Sequence, residues 1–238
     1  MRAEDEGLIH VAGVVDLAEA EMLIDCGARH LGFPFVLGYH QEDLSVQEAA
    51  AIVAALGDRA TFFLITYLRT ATEIVDLCRR LGVGTVQLHG DVSRIELERL
   101  RATSDGLRVI KSLIVRGDNL EALNDDATRL APLVAAFITD TFDPSTGAFG
   151  ATGLTHDWEI SRRLVEVSPR PVILAGGLNS QNVREAILAV GPAGVDVHTG
   201  LEGVDGRKRR DLTTRFIAEA RAGFAARPSK SGVVKRSP

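Results

Sequence analysis

Four stretches of this 238-residue chain set reactive side chains or glycines at the ends of apolar runs. Phe137-Ile-Thr139 runs into Asp140, Val86-Gln-Leu88 into His89-Gly90, and Gly194-Val-Asp-Val197 into His198-Thr199-Gly200. A carboxyl group closing an apolar strand is partly desolvated, which favours its protonated form and suits Asp140 to general acid work; an aspartate there equally well caps a turn. Imidazole changes charge near neutral pH, so His89 reads either as a ligand-facing group or as a structural histidine. In the fourth stretch, Val172-Ile-Leu-Ala175 breaks on Gly176-Gly177, and Asn179 then opens a helical pattern with Val183, Ile187 and Val190 on one face. Tandem glycines let a ligand approach the backbone closely, and the first amides of a capped helix lack partners and attract an anion. Together with the turn at residues 198–200, Gly176, Gly177, Thr199 and Gly200 form a candidate phosphate cradle.

The elements that must position these groups alternate along the chain. Strands are expected at Leu8–Ala12, His30–Phe35, Thr61–Thr66, Gly84–Leu88, Leu107–Ile114 and Leu133–Thr139, then from Pro171 and from Val195. Between them lie helical patterns. One is capped by Asp16, with Ala18, Met22, Leu23 and Cys26 inward, and others run from Ser45 to Leu56, from Thr70 to Leu81, from Val92 to Ala102 and from Leu120 to Leu130. The last three start near Asp157, at Asn179 and at Lys208, the final one ending at Ala225. Eight such units predict a single α/β domain over residues 8–226, a (β/α)8 TIM barrel. In that architecture the chemistry stands at the carboxyl ends of strands and phosphate sits after the last two. The loop Thr141–Thr155, with Gly147, Gly150 and Gly153, is expected to be a lid or a ligand loop, with Gly150 touching the substrate. Residues 227–238 read as a disordered basic tail.

Composition excludes several classes. With 27 Lys and Arg against 32 Asp and Glu, the net charge is −5 and the pI near 5.7, so no basic field exists to hold nucleic acid or an anionic membrane. An anionic small molecule must be held locally. Cys26 and Cys78 lie on apolar faces without a CxxC spacing, which predicts buried free thiols in a reducing cytoplasm and no metal site. No apolar run approaches membrane-spanning length, and no signal peptide is visible.

Several motifs in order carry a family resemblance. Val86-Gln-Leu-His-Gly-Asp91, Asp140-Thr141, Gly150 to Trp158, Leu174-Ala-Gly-Gly-Leu-Asn179 with Asn182-Val183, and Val195-Asp-Val-His-Thr-Gly-Leu-Glu202 together resemble the phosphoribosylanthranilate isomerases of tryptophan biosynthesis. The resemblance runs from Ile9 to about Ala222. It implies a cofactor-independent (β/α)8 enzyme performing an Amadori rearrangement on a phosphorylated ribosylamine; a cytoplasmic monomer or homodimer is expected. Asp140 falls on the family's general acid, and the turns at Gly176-Gly177 and His198-Thr199-Gly200 fall on its phosphate loops.

Two family positions are changed. The first strand of the family ends in Cys-Gly, the cysteine being its base, and here Ile9-His-Val-Ala-Gly13 sets Ala12 in that place. The loop Val36-Leu-Gly-Tyr-His-Gln-Glu-Asp43 lacks the family's anthranilate-binding arginine; Gln41 or Glu42 stands nearest to it, and only a protonated His40 would bind a carboxylate there. His198, where the family usually has serine, is the first candidate for a substitute base, because barrel closure makes strand eight the neighbour of strand one; it is equally a donor to the phosphate. His10 is the second, although two residues of depth suit it better to the core. Three readings follow. A family member acting on a different phosphorylated sugar derivative is favoured over an ordinary phosphoribosylanthranilate isomerase with a substitute base. A non-catalytic phosphosugar-binding barrel is the third.

Overall fold

In the computed structural model, residues 7–37, 43–117, 119–141 and 158–227 are described. Eight parallel strands close on themselves in sequence order. They are β1 (Leu8–Ala12), β2 (His30–Phe35), β3 (Thr61–Thr66), β4 (Thr85–Leu88), β5 (Arg108–Val115), β6 (Ala136–Thr141), β7 (Val172–Leu174) and β8 (Gly194–Val197). Helices α1 (Leu17–Asp25), α2 (Val46–Leu56), α3 (Ala71–Leu81), α4 (Arg94–Thr103), α5 (Leu120–Leu130), α6 (Trp158–Val167), α7 (Val183–Val190) and α8 (Arg210–Ala225) follow their strands. This is the (β/α)8 barrel expected from the alternation.

The first four helices start where a short polar side chain is followed three residues later by glutamate. Asp16, Ser45, Thr70 and Ser93 accept hydrogen bonds from the amides of Glu19, Glu48, Glu73 and Glu96, each satisfying an amide that the helix leaves unpaired. Strand alternation divides the core in two. One face packs under the helices; the other fills the barrel with Leu8, Phe63, Ile110, Ala136, Ile138, Ile173 and Ala175.

The structure shifts several expected boundaries. β6 begins at Ala136, because Ala131–Leu133 forms a 3-10 turn around Pro132. α4 starts at Arg94 behind its cap Ser93, and α8 starts at Arg210 because the amides of Lys208 and Arg209 are bonded to Glu19 and Leu201. α7 starts at Val183: the Asn179 side chain accepts the amides of Gln181 and Asn182 (2.8 and 3.2 Å), closing a turn rather than capping the helix. On α1 the buried residues are Glu19, Ala20, Leu23 and Ile24, so the face is rotated from the expected stripe and Ala18 is exposed. The cause is Glu19, which turns inward to accept from the amide of Val15 (3.1 Å) and that of Lys208 (2.8 Å). Cys26 is consequently only half-buried, while burial pushes the Cys78 thiol up to about 12. Arg227, assigned to the tail from sequence, donates to the carbonyl of Pro192. Residues 228–238 lie outside the described residues.

Candidate active site

Asp140 reaches the barrel mouth as the penultimate residue of β6, in register with Ile114 of β5 and only 4 % exposed. His89, one residue past β4, donates from Nδ1 to Asp140 Oδ2 at 2.7 Å, while its Nε2 lies 2.8 Å from the Gln87 side-chain amide nitrogen. Gln87 donating fixes the imidazole as the Nδ1–H tautomer. Tyr67 stacks on the ring at 5.7 Å, and a Cβ at Gly90 would come within 2.5 Å of the Tyr67 carbonyl oxygen, so the glycine lets the two strand ends close on each other. Both ring nitrogens of His89 are therefore engaged by protein. This geometry supports the structural reading weighed from the sequence, with His89 held against the carboxyl group of Asp140, over the ligand-facing one.

His198 follows β8 directly. Register between β1 and β8 pairs His10 with Asp196 and Val11 with Val197, and one further step sets Ala12 beside His198. Gly13, with φ at +76°, lies under the ring, where an added Cβ would fall 2.1 Å from His198 Nε2. The imidazole thus covers the strand end that Ala12 leaves without a functional group. Burial first, and then the nearby Lys208 ammonium, hold the His198 pKa below its ordinary value, against the carboxylates of Glu202, Asp196 and Asp43. A neutral imidazole at the mouth is a proton acceptor.

His10 lies one layer deeper. It is 1 % exposed, its Nδ1 is hydrogen-bonded to Asp196 Oδ1, and it stacks on Phe63 at 4.5 Å. That is the core position expected of it from depth, and it sets His10 behind His198 as a candidate base. The rim after β7 and β8 is partly exposed among the described residues. Gly176 and Gly177 have φ of +100° and +62°, Gly176, Gly177 and Gly200 are partly exposed, and Thr199 is exposed. Thr199 and Gly200 open the 3-10 turn Thr199–Leu201, whose first amides have no acceptor within the turn. Asn182 holds the glycine turn from behind by donating to the Gly177 carbonyl (3.0 Å) and accepting from the Asn179 amide (2.8 Å). His40, Gly150, Gln41, Glu42 and the expected lid lie outside the described residues.

Sequence reasoning missed two lysines. Lys208 gave no signal, standing among Arg207, Arg209 and Arg210, yet its side chain is fully buried, with Nζ donating to the Gly13 carbonyl and to Glu202 Oε1 at 2.9 Å each. Lys111 did give one, as a charge inside the apolar run of β5. Its Nζ donates to the Ser112 carbonyl at 3.1 Å, and burial lowers its pKa to about 8. Among the described residues no group of three or more His, Cys, Asp or Glu is arranged to hold a metal ion, and no helix is long and apolar enough to cross a membrane.

Comparisons with known proteins place the chain in a family and agree with its fold. The family model for N-(5'phosphoribosyl)anthranilate (PRA) isomerase matches residues 12–219. The N-(5'-phosphoribosyl)anthranilate isomerase 2 of Methanosarcina mazei is 36 % identical over 218 residues, 91 % of this chain and 95 % of that protein. The N-(5'-phosphoribosyl)anthranilate isomerase of Haloferax volcanii is likewise 36 % identical, over 92 % of this chain and 95 % of its own. Among solved structures, the phosphoribosyl anthranilate isomerase of Thermotoga maritima superposes with a TM-score of 0.76 at 27 % identity, covering 90 % of this chain and 98 % of that one.

Proposed function

Because this chain belongs to the N-(5'-phosphoribosyl)anthranilate isomerase family, we propose that it isomerises phosphoribosylanthranilate in tryptophan biosynthesis with His198 in place of the family's cysteine base. The altered substrate favoured from the sequence finds no support among the relatives, which carry the isomerase name along nearly their whole length. Asp140 gives a proton to the ring oxygen as the nitrogen lone pair forms C1=N and the C1–O bond breaks. His198 takes the proton from C2, whose electron pair forms C1=C2 while the C1=N pair returns to nitrogen, and the enol so formed tautomerises to the ketone. The amides of Gly177, Thr199 and Gly200 hold the phosphate. The substrate is a phosphorylated small molecule, and the chain acts as a monomer or homodimer.

The observation that carries this reading is the His198 imidazole lying over Gly13, beside the methyl group of Ala12. A strain lacking the isomerase tests it. Rescue by this chain, together with turnover of phosphoribosylanthranilate by the purified protein, is expected. Failure of both would return the altered-substrate reading to first place, and sugar phosphate binding without turnover of any such ester would favour a pure binding protein.

A further inference from the structure

Four residues beyond His198, the 3-10 turn Thr199–Leu201 brings Glu202 back beneath the imidazole. Glu202 Oε1 stands 3.4 Å from His198 Nε2, an ion-pair contact rather than a hydrogen bond, and accepts from Lys208 Nζ at 2.9 Å. The same ammonium donates to the carbonyl of Gly13, the glycine on which the His198 ring rests. The circuit is closed: Gly13 to Lys208, Lys208 to Glu202, Glu202 to His198, and His198 back over Gly13. It is anchored again from α1, since Glu19 accepts from the Lys208 amide (2.8 Å) and the Val15 amide (3.1 Å).

We propose that Glu202, anchored by Lys208, is the positioning residue of His198, keeping the imidazole proton on Nε2 and leaving Nδ1 as the atom that accepts the substrate proton. The inference rests on His198 being the base. A buried lysine with a carboxylate partner contributes little net stability, because the cost of desolvation offsets the Coulomb gain. What the pair does supply is a fixed place for one carboxylate oxygen, and a carboxylate facing one ring nitrogen selects the tautomer and orients the other nitrogen. The proton leaves the substrate carbon for Nδ1 while its electron pair stays on the carbon. Nε2–H continues to face Glu202, whose charge offsets that of the new imidazolium. The charged groups around the ring are Glu202 and Asp196 from the β8 side, Asp43 from the loop before α2, and Lys208 from the segment before α8. The carboxylates raise the His198 pKa and Lys208 lowers it, so removing each should move it in opposite directions.

Histidine 15N NMR on the intact, unsubstituted protein near neutral pH reads the tautomer directly, with His198→Ala giving the assignment. The Nε2–H form is expected for His198, and an Nδ1–H form would overturn the proposal. In steady-state assays, Glu202→Gln should lower kcat at least about tenfold with little change in KM, and move the acid limb of the kcat/KM profile to lower pH. Lys208→Gln should move that limb to higher pH. A Glu202→Gln enzyme with unchanged kcat and an unmoved limb, in a protein that His198→Ala inactivates, rejects the positioning role alone. Full turnover by His198→Ala rejects the base and the positioning role together. Should either substitution prevent folding, the tautomer of the intact protein decides.

Discussion

Asp140 and His198 approach the mouth from different strands and meet different neighbours, so their contributions separate. The proposed phosphate rim belongs to β7 and β8, whereas Asp140 stands on β6 with His89 at 2.7 Å. Asp140→Asn is expected to lower kcat by about 10²–10⁴-fold while the inhibition constant for inorganic phosphate stays nearly unchanged. Steady-state kinetics with phosphate as inhibitor measures both, and a fully active Asp140→Asn enzyme would remove the acid from the mechanism. His198→Ala should cost a similar factor in kcat. In that background, Ala12→Cys restores a thiol beside the vacated ring position and should recover part of the loss; no recovery means that the proton leaves the substrate in another direction.

Two elements carry loads that no single side chain reveals. The turn after β8 packs on the turn after β7 so tightly that a Cβ at Gly200 would stand 1.9 Å from the Leu178 carbonyl oxygen. Gly200→Ala must therefore move one turn of the proposed phosphate rim against the other. The expected result is a rise in KM of at least about tenfold, equivalent to about 1.4 kcal/mol of binding. A substrate titration that leaves KM unchanged would detach this rim from the phosphate. On β5, Lys111 faces away from the barrel axis by strand alternation, and its folded value of about 8 lies below the ordinary 10.5. Between those values the unfolded chain binds more protons than the folded one, so stability rises with pH through the window from about 8 to 10.5. Lys111→Met should flatten that rise in urea unfolding; an undiminished slope would assign it to other groups.

Closure of the barrel brings the first and last strands together and buries His10 against Asp196 at their seam. Removing one partner leaves a polar group in the interior, and Asp196→Ala is expected to lower folding stability by about 1–3 kcal/mol in urea melts. The same closure makes the site, since β8 delivers His198 to the strand end where Ala12 stands.

Element order was legible along the chain because it rests on near neighbours. Apolar spacing distinguishes strands from helices, and the Asp16, Ser45 and Thr70 starts are local hydrogen-bonding choices. The chemistry at strand ends was equally visible: Asp140, His198 and the glycine turns stand where a barrel puts reactive groups. Partners were not legible. His89 turns to a carboxyl group 51 positions away, and Lys208 reaches back 195 positions to Gly13, at distances that no periodicity encodes. Sequence by itself determined which residues arrive at the barrel mouth. Only the tertiary structure decided which of them hold a neighbour and which, like His10, are sealed inside, because those contacts exist only once eight strands have closed into a ring.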